Sequence, residues 1–577
     1  MQGETKQCQN CNKDFIIEPE DFNFYKKIKV PPPTFCPECR FVRRFMWRNE
    51  GTLYKNFCKL CNKNLITILS KDNPAPIFCH DCWWGNNWDA MQYGMNYDFL
   101  IPFFAQFNKL LQSVPLLNLW SFSNVNSEFS NYTAYSKNSY LSNAIHCEDV
   151  YYSRFIELSK NCADCDILNE SELCYECLNC QKSFNSQHMI DSRECINSHF
   201  LFDCYNCQDC FMCSNLRNKK YCIRNKKYER EEYIEEIIKL NLSSSDSIDD
   251  CKKEFEEMKA NVSIHKFTHI VKSIDSDGDY ISNSKNVHNC FLVQGENLKN
   301  CWRTSGGIKD CFDVSGSIRN ELIYESSVAA DNSYMSKFYT HSKYLNNCHY
   351  LYLCSNSSNL FGCIGLKNKQ YCILNKQYTK EEYEELVPKI IKHMNDMPYI
   401  DSKGRIYKYG EFFPPELSPF CYNETIAQEY FPLTKEEAIK QGYRWKEKEP
   451  RNYQIDINNG DIPDDINDVD ESIIGKVIEC KNKGNEQTGC TEAFKIIPDE
   501  YQFYKRMNLP IPRFCPNCRH YNRLKQRNPM KLWHRQCMCE NESHGHKGRC
   551  KKEFETSYAP DRPEIVYCEG CYNKEVY

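Results

Sequence analysis

Residues 289–312 read NCFLVQGENLKNCWRTSGGIKDCF, and one phrase occurs in them three times: Asn289-Cys-Phe291, Asn300-Cys-Trp302 and Asp310-Cys-Phe312. An Asn or Asp is followed by Cys or Ser and then by an aromatic residue. The phrase also stands at Asn138-Ser-Tyr140, Asp209-Cys-Phe211 and Asn332-Ser-Tyr334. Several neighbours are ten or eleven residues apart. The spacing tightens to nine along Cys195, Cys204, Cys213 and Cys222, and again along Cys354, Cys363 and Cys372. Units this short cannot fold alone and must stack on one another to bury anything. Short strands with polar corners predict a parallel β-solenoid, two phrases making roughly one coil. Cys, Ser and Asn would form ladders inside it or at its corners.

The repeat runs twice, from Asn124 to Tyr228 and from Asn283 to Cys372. The first run closes on LRNKKYCIRNKKYEREEYIEEIIKL (residues 216–240) and the second on LKNKQYCILNKQYTKEEYEELVPKII (residues 366–391). Thr379 with Glu382 forms a capping box, which predicts a helix from Lys380; Glu229–Leu240 is its counterpart. An amphipathic helix there would cap the stack and block edge pairing. Cys174, Cys177 and Cys180, and Cys204, Cys207, Cys210 and Cys213, are also spaced like iron–sulfur ligands. The second run, however, keeps its rhythm with Ser, Gly and Glu where such ligands would be needed. Buried ladder residues are therefore the first reading, extra zinc the second and iron–sulfur clusters the third.

The two ends carry a different duplication. Residues 15–50, FIIEPEDFNFYKKIKVPPPTFCPECRFVRRFMWRNE, match residues 494–528, FKIIPDEYQFYKRMNLPIPRFCPNCRHYNRLKQRN. A C-x-x-C turn supplies two of the four soft ligands of a tetrahedral zinc. The N-terminal end offers Cys8/Cys11 with Cys36/Cys39, then Cys58/Cys61 with Cys79/Cys82. The C-terminal end offers Cys480/Cys490 with Cys515/Cys518, then Cys550 plus Cys537 or Cys539 with Cys568/Cys571. Two of these pairs are stretched by insertions. His544 and His546 lie in the second insertion as candidate substitute ligands, set against the plainer reading of loop histidines. About four zinc ions are expected.

A basic stretch follows each end's second pair of cysteines. Arg40, Arg43, Arg44 and Arg48 share much of one helix face, and Arg519, Arg523 and Arg527 repeat the stripe. Such arginines beside Phe45, Trp47 or Tyr521 suit phosphate contact with base stacking; the competing reading is a solvated helix face.

The motif F-x-I-x-P-[DE]-[DE]-x-x-FYK with P-x-P-x-F-C-P-x-C-R resembles a small bacterial zinc-binding family of treble-clef type, over about forty residues in each end. The whole chain resembles the multi-C-x-x-C proteins of reduced-genome candidate-phyla bacteria, a group with no established activity. The residues behind this are NLRNKKYCIRNKKY (215–228), GEFFPPELSPFCYNETIAQEYFPLTKEEAIKQGYRW (410–445) and IPDDINDV (462–469). The resemblance implies architecture rather than function.

The chain has 577 residues, 38 of them Cys, with a net charge of −5. That size implies several domains, and the charge marks no global nucleic-acid binder. MQGETKQCQN has no apolar signal core, and Phe99–Phe107 is too short to span a bilayer. A soluble cytoplasmic protein is expected, in which paired cysteines bind metal rather than each other. The expected order is a double zinc module over 1–95, a helical connector over 96–123, solenoid copies over 124–228 and 263–376 separated by a helical insert over 229–262, a helical and mixed segment over 377–450, an acidic linker over 451–475 and a second double zinc module over 476–577. Residues 452–475 hold seven acids and no Lys or Arg, which predicts a flexible tether.

Three functions compete. The first is a non-enzymatic zinc protein binding nucleic acid, RNA above all, through the arginine stripes. The second is a protein–protein scaffold with purely structural zinc. The third is a β-helix or iron–sulfur enzyme, for which no paired carboxylates, phosphate loop or nucleophile motif is present.

Overall fold

A computed structural model describes residues 3–449 and 452–577. Pro450 and Arg451, at the junction of the mixed segment and the acidic linker, lie outside the described residues. The protein is mainly β and multidomain. Its two compact units each combine distant stretches of chain. The first holds the described residues up to Trp120 with Thr268–Glu447 and Met530–Leu532; the second holds Ser121–Phe267, Lys448–Pro529 and Trp533–Tyr577. Each unit thus pairs one repeat run with the cysteine-rich end farther from it in sequence.

In the second unit the repeat forms two sheets of six and nine strands, parallel except for the closing hairpin, and successive strands over much of their length join alternate sheets. Most strands pair with chain twelve residues on, as in Cys162↔Cys174, Asp166↔Leu178 and Cys210↔Cys222, and a few near the start with chain eleven on, as in Ser139↔Val150. The repeat therefore advances by twelve residues, not by the two phrases the spacing of ten or eleven implied. The first unit's run is one ten-stranded sheet, parallel except for its closing hairpin. Its partners are offset by eleven at Phe291↔Trp302, twelve at Cys311↔Ile323 and thirteen at Ser326↔Tyr339.

The Asn–Cys–aromatic phrase has a backbone cause. Every third residue from His146 to Arg224 has φ near +50°, the left-handed region. A non-glycine residue there costs roughly 1–2 kcal/mol, least for Asn and Asp, whose side chains bond locally. Asn138, Asp209, Asn289, Asn300, Asp310 and Asn332, the first residues of the six phrases, all occupy it. Side-chain amides at such positions link rung to rung, as in Asn185 Nδ2 to Asn197 Oδ1 at 3.0 Å and Asn289 Nδ2 to Asn300 Oδ1 at 2.8 Å. The next residue points inward. Cys162, Cys165, Cys174, Cys177, Ser183, Ser186 and Cys195 are all buried. Cys174 Sγ donates to the carbonyls of Glu172 and Ser183 at 3.5 and 3.7 Å, and Ser136 Oγ does the same to Ala134 and Ala144 at 3.0 and 3.2 Å. A small side chain with one donor hydrogen reaches both carbonyls, so Cys and Ser interchange.

Helices close both runs: Arg230–Lys239, followed by Ser245–Asn261, and Lys380–Asp396, where Thr379 accepts from Glu382 N. In the first unit the helix Phe103–Ser113 buries Phe103, Phe104, Phe107, Leu110 and Leu111, with Phe103 against Tyr350 and Phe361. The acidic segment is not a free tether. Ile462, Ile466, Val469 and Ile473 are buried in the second unit's core, and Tyr501 donates to the Val469 carbonyl at 3.0 Å. Its acids lie between these apolar anchors, which periodicity of charge alone conceals.

Candidate metal centres

Each cysteine group is built from one hairpin and one helix. Antiparallel hairpins at Glu4–Gln7/Asp14–Ile17, Tyr54–Phe57/Asn64–Thr67, Ile478–Glu479/Ala493–Phe494 and Trp533–Gln536/Glu553–Thr556 present the first pair of thiols. In the N-terminal hairpins Asn12 and Asn62, both at positive φ, tighten the turn, with Asn12 N to Cys8 O at 2.9 Å. The C-terminal insertions lengthen the turn without breaking it, since Cys480 N still reaches Glu492 O at 2.7 Å and Cys537 N reaches Lys552 O at 2.9 Å. The second pair comes from a helix start. Cys36, Cys79, Cys515 and Cys568 are N-caps, and Cys39, Cys82, Cys518 and Cys571 stand in the first turn.

Four sets result: Cys8/11/36/39, Cys58/61/79/82, Cys480/490/515/518 and Cys537/550/568/571, with the sulfur atoms of each set within 4.8 Å of one another. Separations of 3.7 Å for Cys11–Cys36, 3.8 Å for Cys61–Cys79, 3.9 Å for Cys480–Cys518 and 4.0 Å for Cys515–Cys490 are far beyond a disulfide bond. They match the roughly 3.8 Å edge of a tetrahedron with metal–sulfur bonds near 2.3 Å. Backbone amides favour the thiolate form, with Cys515 N to Cys480 Sγ and Cys568 N to Cys537 Sγ both at 3.2 Å. Asn10 Nδ2 lies 3.2 Å from Cys39 Sγ.

One thiol in each set is held low. Hydrogen bonds from Cys36 and Cys39 bring Cys8 far down, and those from Cys480 and Cys518 do the same to Cys515. Burial raises Cys58, but the amides of Cys79, Cys61 and Leu60 outweigh it and bring it down to about 6. Burial likewise opposes and the Lys552 amide favours a lowered Cys550. Companion thiols such as Cys39 and Cys480 are pushed up by their neighbours. A divalent cation removes that mutual repulsion, so the donor sets fit a thiophilic metal. Four cysteine-rich groups could each hold one ion.

Of the two thiols left open in sequence, Cys537 completes the fourth set. Cys539 stands beside it with His544 and His546. Among the described residues, none of the central cysteines falls in such a group.

The arginines do not form a solvated stripe. In the first unit Arg40, Arg43, Arg44 and Arg48 are buried. Arg40 Nε donates to Asp313 at 3.0 Å, Arg44 Nη1 to the same oxygen at 3.1 Å, and Arg43 grips both oxygens of Glu325 at 2.7 and 2.8 Å and Glu411 at 2.9 Å. Arg48 pairs with Glu50 and lies over the Trp302 ring. A Cβ on Gly316 (φ +71°) would come within 2.3 Å of Arg48 Nη1, so a side chain there would push the guanidinium aside. In the second unit Arg519 Nε meets Asp164 at 3.0 Å, Arg523 meets Asp164 at 2.7 Å and Asp166 at 3.0 Å, and Arg527 meets Asp166 at 3.2 Å. The expected phosphate contacts are thus replaced by buried carboxylates, because each helix lies with its basic face on a parallel sheet.

These acids were missed in sequence. Asp313 and Glu325 stand twelve residues apart, as Asp164 and Glu176 do; aligning the two runs on each other exposes the correspondence. Glu500, on the helix Pro498–Met507, joins the second set through Tyr152 Oη and Tyr504 Oη, each at 2.8 Å.

Among the described residues, no helix is long and apolar enough to cross a membrane. No protein-family profile and no curated protein matches the chain. A solved structure from Desulfovibrio desulfuricans G20, named as that of a "putative acetyltransferase", is 11% identical over 52% of this chain and 76% of its own. Its TM-score of 0.10 is too low to carry an argument about fold or activity.

Proposed function

We propose that this protein is a non-enzymatic scaffold in which zinc-bound treble clefs clamp two short parallel β-solenoids. The hairpin-plus-helix construction of every cysteine group supports the treble-clef reading, and the twelve-residue advance supports the solenoid. Four thiolates per set fill a tetrahedral shell and leave no open position for substrate, as expected of structural zinc. The observation that carries the proposal is the inward set of the arginines: Arg43, Arg44, Arg519 and Arg523 hold the clefs to acidic rungs of the stacked sheet. In this reading the partner is a protein that meets the outer surface, and the metal ions never contact it.

The test is a titration of full-length protein against fluorescent single-stranded and hairpin RNA over a series of salt concentrations. The scaffold reading expects no steep salt dependence, because a slope of about −0.7 to −0.9 appears for each phosphate neutralised. Tight binding that falls steeply with salt, and that Arg43→Ala and Arg523→Ala weaken without lowering stability, would return the arginines to nucleic acid.

A further inference from the structure

The chain between Cys537 and Cys550 carries three metal-ligating side chains of its own, Cys539, His544 and His546, where the matching N-terminal turn has only Lys59 and Leu60. We propose that these three close a second zinc site with Cys571, whose sulfur bridges two ions. The C-terminal module would then hold a two-zinc centre, and the chain five ions in all.

Two observations converge. The four ligand atoms lie within 4.8 Å of one another, and Cys571 Sγ belongs equally to the neighbouring four-cysteine set. Cys539 Sγ stands 3.2 Å from His544 Nδ1, and Cys571 Sγ stands 3.5 Å from His546 Nε2. A tetrahedral site with Zn–N near 2.05 Å and Zn–S near 2.3 Å spaces nitrogen from sulfur by about 3.6 Å.

Both imidazoles are also held by their other nitrogen. His544 Nε2 faces Glu575 Oε2 and the Asn541 amide, each at 3.3 Å, and His546 Nδ1 faces the Gly548 carbonyl at 2.8 Å. With the His544 proton on Nε2 toward Glu575 and the His546 proton on Nδ1 toward Gly548, the lone pairs of His544 Nδ1 and His546 Nε2 point at the sulfur atoms. Carboxylate or carbonyl support of a ligating histidine is the usual outer shell of a zinc site. His544 is only 5% exposed, unlike a loop histidine in solvent. Gly545, at φ +88°, reverses the chain between the two rings.

The experiment uses full-length protein purified with zinc, stripped of loosely held metal by gel filtration and weighed by native mass spectrometry. Five zinc ions per chain are expected. His544→Ala/His546→Ala should bind four with an unchanged far-ultraviolet circular dichroism spectrum, and Cys539→Ser should lose the same single ion. Glu575→Gln should keep five while weakening the most labile one by roughly 10–100-fold in chelator competition. Cobalt(II)-loaded wild type minus the double-histidine variant should show the absorption of one mixed sulfur–nitrogen site. Four ions in the wild type, or five in the double variant, overturns the bridged centre. The inference rests on the zinc scaffold reading, and the two fail separately: fewer than four ions in the wild type removes both, whereas four removes this one alone.

Discussion

Arg44 Nη1 and Asp313 Oδ1 lie 3.1 Å apart with both side chains fully buried. Asp313 is also the acceptor for Arg40, so its loss takes the nearest carboxylate from two buried cations, leaving Arg40 only Glu325 at 3.8 Å. Removing one partner of a buried pair costs about 3–5 kcal/mol, whereas replacing the pair by apolar groups can be neutral. Asp313→Asn should therefore lower the unfolding free energy of the first unit by that amount, seen as a lower urea midpoint, and Asp313→Leu with Arg44→Met should recover part of it. Asp164→Asn should act alike in the second unit, where Arg519 and Arg523 share that acid. An unchanged midpoint in either variant would show that the pairs are incidental.

Acid should loosen the second unit. Burial pushes Asp166 up, but Arg527, Arg523 and His520 outweigh it and hold the carboxyl below its usual range. Burial likewise opposes, and Lys252 at 2.7 Å with His188 at 3.1 Å enforces, a still lower Glu176. A carboxyl lowered by folding stabilises fully above its unfolded value, near 4, and loses that contribution as pH falls through its folded one. Glu325 has the opposite sign, since burial raises it despite Arg43; its charged form opposes folding as pH rises. Stability measured from pH 6 down to pH 3 should thus fall more gently in Asp166→Asn than in wild type. Acid release of metal is common to both proteins and cancels in the comparison, so equal slopes would refute the assignment.

Four ladder thiols, Cys147, Cys174, Cys213 and Cys348, should be inert. Burial pushes Cys147, Cys213 and Cys348 each up to about 12, and Cys174 well above the usual thiol value, its largest cause there being its hydrogen bond with Cys162. The thiolate is the nucleophile, so iodoacetamide at pH 8 should leave these four unlabelled in native protein and label them in urea. Cys174→Ser keeps a donor for the Glu172 and Ser183 carbonyls and should cost under about 1 kcal/mol. Cys174→Leu should cost about 1–3 kcal/mol by overpacking. Rapid labelling of native Cys174 would exclude the inward placement.

The repeat was legible in part because the left-handed backbone selects Asn and Asp and the interior selects Cys and Ser, which leaves Asn289-Cys and Asp310-Cys visible as phrases. Its period was not, since the same interior position accepts Leu168, Met189 and Leu201 as readily, and those triplets carry no signature. The candidate metal ligands were legible because a thiolate tetrahedron fixes residue type and spacing together. The arginine face was legible as a pattern and not as a contact. Asp313 lies 269 residues beyond Arg44, and Asp164 lies 359 residues before Arg523, so nothing local distinguishes a buried anchor from a solvated stripe.

Metal loss should propagate through the helix that carries the anchors. Cys36 caps the helix Pro37–Phe45, which bears Arg40, Arg43 and Arg44; Cys79 caps His80–Trp84, which bears none. Binding of a structural zinc contributes about 10–16 kcal/mol of apparent free energy in small fingers and is largely folding free energy there. Cys36→Ser and Cys79→Ser should each release one zinc by elemental analysis, with no iron in either protein. Only the first should also free a basic helix from Asp313 and Glu325, so its urea midpoint for the first unit should fall further. Rapid amide exchange in Cys36→Ser should spread from residues 4–17 into residues 37–45, while Cys79→Ser should leave residues 37–45 protected. Equal effects from the two variants would mean that the arginine anchors add nothing to the metal, and full zinc retention in Cys36→Ser would remove that thiol from the ligand set.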